Sequence, residues 1–240
     1  YGLFKTEIKD TQAEQLKVFS KLETGLPMFS GTSFGNQVHF QNAYQTPVQR
    51  WFPYREGYST RLVNAFIKEL KITRNVFDPF SGSGTTLLAS RTNNLNSFGV
   101  DVNPISVLVA TVENEQYNKS DIENISLEIE RIKSFAKSKE NFQTLFELAD
   151  KVFNQEILQS MLQFKEHIKE IENEKPRNLF FVVWLSIIED VSNIKKEGNG
   201  IKYKNRKRTP TGYINIDKDV WEKQTYPDDK FGFVKAKLLK

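Results

Sequence analysis

One nine-residue stretch constrains the fold of this chain more than any other. Residues Asp78–Thr86 read Asp-Pro-Phe-Ser-Gly-Ser-Gly-Thr-Thr; the apolar pair Val76-Phe77 precedes them and Leu87-Leu88-Ala89 follows. This order predicts a strand, a tight glycine turn and a helix. A second apolar run, Ser97–Asp101, predicts another strand. The strands and the intervening helix make a βαβ unit, so the sequence predicts an α/β fold with a parallel pair of strands.

The spacing within the glycine turn separates three kinds of nucleotide site. Gly82-Ser83-Gly84 lies where backbone amides at the start of a helix can face an anionic or polar cofactor. A P-loop needs four residues between its glycines and then Lys-Ser or Lys-Thr, but Thr85 follows Gly84 directly, which excludes nucleotide triphosphate binding. A dinucleotide fingerprint needs a third glycine where Leu87 stands, which argues against NAD.

Three segments resemble those of the exocyclic amino-group DNA methyltransferases, which make N6-methyladenine or N4-methylcytosine. Asp78–Thr86 resembles their motif I, Gly99–Pro104 resembles motif II, and Arg50–Ser59 resembles motif X more loosely, with plain packing of its aromatic residues as the alternative. The resemblance covers about residues 50–110. It implies a Rossmann-like, S-adenosylmethionine-dependent methyltransferase core with an incomplete sheet, because the chain lacks sequence for most of the expected strands.

The resemblance also implies a cofactor, S-adenosylmethionine, and roles for individual residues. Asp78 would accept a hydrogen bond from the cofactor's amino group, the glycines would admit its methionine part, and Asp101 would bind both ribose hydroxyls. The alternative for Asp101 is that it only caps the helix opened by Asn103-Pro104. Val102 and Pro104 would flank the adenine ring. The predicted cofactor-binding residues are Asp78, Pro79, Phe80, Gly82, Gly84, Thr85, Asp101, Val102 and Pro104.

The sequence contains no recognisable catalytic loop. In this family an Asp, Asn or Ser, then Pro-Pro, then an aromatic residue holds the flipped base, and no such tetrapeptide occurs here. We therefore expect no catalytic residue in this chain, and expect it to be inactive alone, as a fragment or as one half of a split enzyme. The remainder of the enzyme, as a second chain, is then an expected partner.

Positive charge is concentrated in one segment. Lys195–Arg208 contains seven Lys or Arg and one Glu, a net of +6, whereas the whole chain carries +4, so the other residues sum to −2. Such a patch suits the phosphates of double-stranded DNA; a solvated charged loop is the alternative. We expect the segment to be flexible, since it holds two glycines. The predicted DNA-binding residues are Lys202, Lys204, Arg206, Lys207 and Arg208.

The chain divides by composition into three parts. Residues 1–115 form an N-terminal segment with the cofactor-binding βαβ region, and residues 116–176 form a strongly helical insertion. Residues 177–240 begin with a buried apolar helix, expected from about Asn178 to Ile194, although periodicity alone also allows a strand there. A basic segment follows and leads toward the missing loop.

Composition excludes several other classes of protein. Cysteine is absent, which excludes disulfides, Cys-type zinc sites and the nucleophile of a cytosine-C5 methyltransferase. His39 and His167 are isolated, so we expect no metal site. No membrane span or signal peptide is evident, and we expect a cytoplasmic protein. The expected function is site-specific DNA methylation in a restriction-modification system; a tRNA guanine-N2 methyltransferase and a non-catalytic cofactor- or DNA-binding subunit are the alternatives.

Overall fold

The computed structural model describes residues 47–54, 57–144, 146–197 and 200–240. The N-terminal segment up to residue 46, with His39, and the motif X residues Arg55 and Glu56 lie outside the described residues. Among the helices that are described, none combines the length and the apolar character needed to cross a membrane.

The predicted strand, glycine turn, helix and second strand are all present. The elements in this part are a 3-10 helix Gln49–Trp51, helix α1 Thr60–Glu69, strand β1 Asn75–Asp78, helix α2 Thr85–Thr92, strand β2 Asn96–Gly99 and helix α3 Pro104–Asn114. The two strands pair in parallel, with Asn75 opposite Asn96 and Asp78 opposite Gly99. Strands joined through a helix into a parallel pair confirm the α/β character of the chain.

Side-chain caps start the helices on either side of this unit. The Ser59 hydroxyl accepts from the backbone amide of Leu62 and so begins α1 at the predicted residue. The Asn103 side chain accepts from the amide of Ile105, and Pro104 occupies the first turn of α3. Helix α1 packs on α2 through a small core of Val63, Ile67 and Ala89.

One face of the two-stranded sheet is open in the described structure. Phe77 of β1 and Phe98 of β2 stack with ring centroids 6.0 Å apart, and their exposed fractions are 62% and 66%. Parallel strands are ordinarily covered on both faces. The open aromatic face is therefore a surface that further polypeptide would be expected to cover.

The rest of the described chain is mainly helical and surrounds one large core. Its helices are α4 Lys119–Ser134, α5 Ala149–Val152, α6 Gln155–Lys169, α7 Glu174–Ser186, α8 Ile188–Val191, α9 Lys218–Thr225 and α10 Lys230–Leu238. The core draws on both the predicted insertion and the segment after it, with Phe164, Phe180, Trp221 and Phe231 among its largest members. These two parts are thus packed together.

Two sequence-based expectations differ from the structure. The helix expected from about Asn178 to Ile194 begins earlier, at Glu174, and is divided: α7 ends at Ser186 and α8 ends at Val191. The basic segment, expected to be a flexible loop, forms two antiparallel hairpins instead. The first joins strands β3 Ile194–Glu197 and β4 Gly200–Tyr203, and the second joins β5 Arg206–Thr209 and β6 Gly212–Asn215.

Candidate functional site

The glycine turn lies at the carboxyl end of β1, where a parallel sheet commonly binds its ligand. Gly82 and Gly84 have φ angles of +50° and +85°, in the left-handed region that favours glycine. A Cβ atom on Gly84 would lie 2.9 Å from the Cβ of Ala110 and 2.8 Å from the side-chain amide nitrogen of Asn114. Gly84 is therefore required by the close approach of α3 as well as by the turn itself.

Asp101 joins the two motifs at the strand ends. Its Oδ2 accepts from the backbone amide of Gly82 at 2.9 Å, and its Oδ1 accepts from the amide of Asn103 at 2.8 Å. A carboxylate has about four lone-pair sites, so roughly half of its accepting capacity is left. Asp101 is half-buried, and it holds the glycine turn against the loop that follows β2.

Asp78 is held by the segment that precedes α1. Its Oδ2 accepts from the Tyr58 hydroxyl at 3.0 Å, and its Oδ1 accepts from the amide of Phe80 at 3.0 Å. The Tyr58 hydroxyl also lies 2.5 Å from the hydroxyl of Thr86, on the first turn of α2. Burial, with the nearby Asp78 carboxylate, raises the pKa of Tyr58 to about 12, so this hydroxyl keeps its proton.

Tyr58 was not among the individual residues predicted for the site. It lies within the stretch that resembles motif X, but nothing local in the sequence distinguishes it from a packing aromatic residue. Tyr54 of the same stretch also reaches the turn: a Cβ atom on Gly82 would lie 3.2 Å from its ring. The motif X stretch and the glycine turn are therefore in direct contact.

The remaining predicted cofactor residues fall into a buried and an exposed group. Thr85 is buried, and its hydroxyl accepts from the side-chain amide of Gln49 at 3.3 Å. Pro79, Phe80, Val102 and Pro104 are exposed, with 84% of Phe80 open to solvent. Pro79 and Phe80 belong to the turn itself, and Val102 and Pro104 lie in the loop and helix start that follow β2.

A pocket of about 350 Å³ lies beside the turn. Tyr54, Asn103 and Ser106 line its wall on the side of the turn, and Lys196 and Ile201 of the first hairpin line another wall. The lining is mostly apolar, with further contributions from Phe52, Pro53, Ile105, Leu185, Ser186, Ile188, Glu189 and Ile194. The pocket thus lies between Tyr54, which contacts the glycine turn, and the first hairpin.

The predicted DNA-binding residues are not equivalent in the structure. The Nζ of Lys204 donates to the backbone carbonyls of Glu189 and Ser192, and burial lowers its pKa. Lys204 therefore fastens the hairpins to α8. Lys202 forms an ion pair with Glu197 at 3.2 Å.

The other three predicted cations lie on the second hairpin. Arg206, Lys207 and Arg208 are exposed residues of β5. The guanidinium carbon of Arg206 lies 4.4 Å from the centroid of the Tyr213 ring. These three charged side chains are therefore exposed to solvent, whereas that of Lys204 is half-buried.

His167 is the histidine that lies within the described residues, and its ring packs against another aromatic ring. His167 lies on Phe135, with ring centroids 4.7 Å apart. Among the described residues, no cluster of three or more His, Asp or Glu has the geometry to hold a metal ion.

The chain is similar to curated methyltransferases over most of its length. It is 27% identical to Type II methyltransferase M.BsoBI of Geobacillus stearothermophilus over 199 residues, which is 80% of this chain and 38% of that protein. It is 28% identical to Type II methyltransferase M.AvaI of Nostoc sp. over 189 residues, 75% of this chain and 38% of that protein. No family model and no solved structure matches the chain.

A third match is shorter and has a higher identity. The chain is 33% identical to Type II methyltransferase M.MjaII of Methanocaldococcus jannaschii over 88 residues, 36% of this chain and 17% of that protein. A match over 80% of the chain necessarily includes the glycine turn and Asp101, because these lie near its middle. The chain spans less than half the length of these relatives. The chain is thus similar to Type II methyltransferases over most of its length.

Proposed function

We propose that the chain is the cofactor-binding part of a site-specific DNA methyltransferase with a Rossmann-like core. The complete protein would transfer a methyl group from S-adenosylmethionine to adenine N6 or cytosine N4 in double-stranded DNA, as part of a restriction-modification system. The observation that carries the proposal is the bond from the Gly82 amide to Asp101. It brings the glycine turn and the second acidic residue together at the carboxyl ends of two parallel strands.

The residues at these strand ends fit S-adenosylmethionine. Asp101 retains accepting capacity for the two ribose hydroxyls, and Asp78, which accepts from Tyr58 and Phe80, retains accepting capacity for the amino group. Neither glycine carries a side chain that would fill the turn, and a Cβ atom at either position would meet a neighbouring side chain. The exposed side chains of Phe80, Val102 and Pro104 offer apolar surface to the adenine ring.

When bound, the cofactor supplies an activated methyl group; the residues of this chain bind and orient its donor. Tyr58 fixes the Asp78 carboxylate and Asn103 fixes that of Asp101, so both acceptors are held before the ligand arrives. Preorganised acceptors of this kind lower the entropy cost of binding. The sequence holds no Pro-Pro-aromatic loop, so we still expect residues 1–240 alone to transfer no methyl group.

Calorimetric titration with S-adenosylmethionine tests the cofactor assignment. Asp101→Ala should weaken binding by about 1 to 3 kcal/mol, because hydrogen bonds to a charged group are lost. Asp229→Ala is the matched control: Asp229 also accepts from a backbone amide, that of Gly232, but at the start of α10. Equal affinity of the Asp101 variant and the unaltered protein would remove Asp101 from the ligand site.

The reaction is tested on the complete protein with a labelled methyl donor. We expect label in double-stranded DNA, in either N6-methyladenine or N4-methylcytosine, and nucleoside analysis distinguishes the two. Label in the guanine of tRNA would assign the chain to the alternative class of enzyme. Cofactor binding without transfer to either nucleic acid would instead identify a non-catalytic subunit.

A further inference from the structure

The second hairpin, β5–β6, is exposed along both strands. Every residue of the two strands is exposed except Thr209, which is half-buried. The base of the hairpin is nonetheless firmly attached: Asn205 donates from its side chain to the carbonyl of Ile216 at 2.7 Å and from its backbone to the Asn193 side chain at 3.0 Å. The hairpin is therefore a ribbon with a fixed base and uncovered sides.

The two faces of this ribbon carry different side chains. Arg208 lies opposite Tyr213, and Arg206 lies opposite Asn215. Because side chains alternate along a strand, Arg206, Arg208 and Tyr213 share one face, and Lys207 lies on the other with Ile214. Residues 206–215 contain three cations and no acidic residue.

In the described structure the charged side chains of the ribbon have no acidic partner, in contrast to those of the first hairpin. There, Lys195 and Lys202 both form ion pairs with Glu197, at 3.1 Å and 3.2 Å. Within the part of the chain that the structure describes, Lys207 and Arg208 have no ion pair or hydrogen bond. Among the residues described, the ribbon is thus a cationic surface without a counterion.

Arg206 is oriented as well as exposed. Its guanidinium lies over the Tyr213 ring at 4.4 Å, an arrangement that holds the planar group in one direction. A phosphate contact needs only a nearby positive charge, whereas contact with a base edge needs a donor pair of fixed direction. An oriented arginine beside a second arginine on one face favours base contact.

Resting on the proposed function, we propose that the β5–β6 hairpin enters the major groove of double-stranded DNA and reads guanine with its Arg206 and Arg208 face. The major groove is about 12 Å wide and admits a two-stranded ribbon. Arginine donates two hydrogen bonds to the O6 and N7 atoms of guanine. Lys207, on the opposite face, then contacts the phosphate backbone.

The test uses the complete protein, labelled S-adenosylmethionine and a library of duplexes of random sequence, with the methylated duplexes sequenced. Arg208→Lys keeps the charge and removes the two-pronged donor. We expect it to relax discrimination at one guanine position by roughly tenfold or more, while the dependence of binding on salt is unchanged. The double variant Arg206→Gln/Arg208→Gln should relax two positions.

Lys195→Gln/Lys202→Gln is the control, since it removes the same charge from the first hairpin. We expect it to keep the site preference of the unaltered protein. If the arginine variants lose affinity equally for all duplexes, the arginines contact only phosphates and the inference is wrong. The inference is also wrong if the arginine variants methylate the same sites, with the same preference, as the unaltered protein. Failure of the unaltered protein to methylate any duplex would overturn the proposed function itself.

Discussion

Glu113 on α3 offers a direct test of the interior of this structure, through the substitution Glu113→Gln. Only 2% of Glu113 is exposed, and its Oε2 has no hydrogen-bond partner among the described residues. Burial raises the pKa of this carboxyl from 4.5 to about 8. The folded protein therefore holds a proton on Glu113 at neutral pH, while the unfolded chain releases it.

The sign of the pH dependence follows from that difference. Because the folded pKa is the higher one, this group's contribution to stability is complete below pH 4.5 and is lost as the pH rises through about 8. One pKa unit corresponds to about 1.4 kcal/mol, so the loss across the window is up to roughly 5 kcal/mol. Glutamine is neutral at every pH, and Glu113→Gln should remove this loss.

The measurement is the free energy of unfolding in urea at several pH values between 5 and 8. As the pH rises from 5 to 8, we expect the free energy of unfolding of Glu113→Gln to increase by about 2 to 4 kcal/mol relative to that of the unaltered chain. Glu128→Gln is the control, because Glu128 is also buried but contacts Arg131 at 2.5 Å. Parallel pH profiles for Glu113→Gln and the unaltered chain would show that the carboxyl is ionised in the folded state.

Three further substitutions test other contacts. Gly84→Ala should destabilise the fold by about 2 kcal/mol or more, since it combines a φ of +85° with a close approach to Ala110; Gly200→Ala, with open space around it, should leave the melting temperature nearly unchanged. Tyr58→Phe should lower the affinity for S-adenosylmethionine, and an unaltered calorimetric titration would refute a positioning role for this hydroxyl. Lys204→Gln should cost about 1 to 3 kcal/mol in urea unfolding, whereas Lys223→Gln, at an exposed position of α9, should not; a weaker salt dependence of DNA binding in the Lys204 variant would contradict its assignment to the fold.

Local signals in the sequence predicted the part of the fold around the turn. The Ser59 cap, the glycines and the Asn103-Pro104 start each act over a few residues, so their effects can be read from neighbours in the chain. The contacts that organise the site are of another kind. Asp101 and Gly82 are 19 residues apart, and Tyr58 and Asp78 are 20 apart. Such pairs depend on how the strands and helices pack, which periodicity does not specify.

The strands of the basic segment could not be predicted from the alternation of apolar and polar residues. Lysine and arginine fill both faces of β3 and β5, so these strands lack the alternation of apolar and polar residues that identifies a half-buried strand. Pro210 and Thr211 form the turn between β5 and β6, which was not predicted. The division of the apolar helix at Ile187 was also not predicted, because α7 and α8 are both helical and nearly continuous.

The contact between Gly84 and α3 bears on how this family can evolve. A glycine in a cofactor motif is usually attributed to the ligand, yet here Gly84 also faces Ala110 and Asn114 of a helix that follows the second strand. A larger residue at position 110 would press on the turn from behind, without touching any ligand. Positions 84 and 110 should therefore remain small together during divergence, whether or not a descendant binds a ligand at the turn.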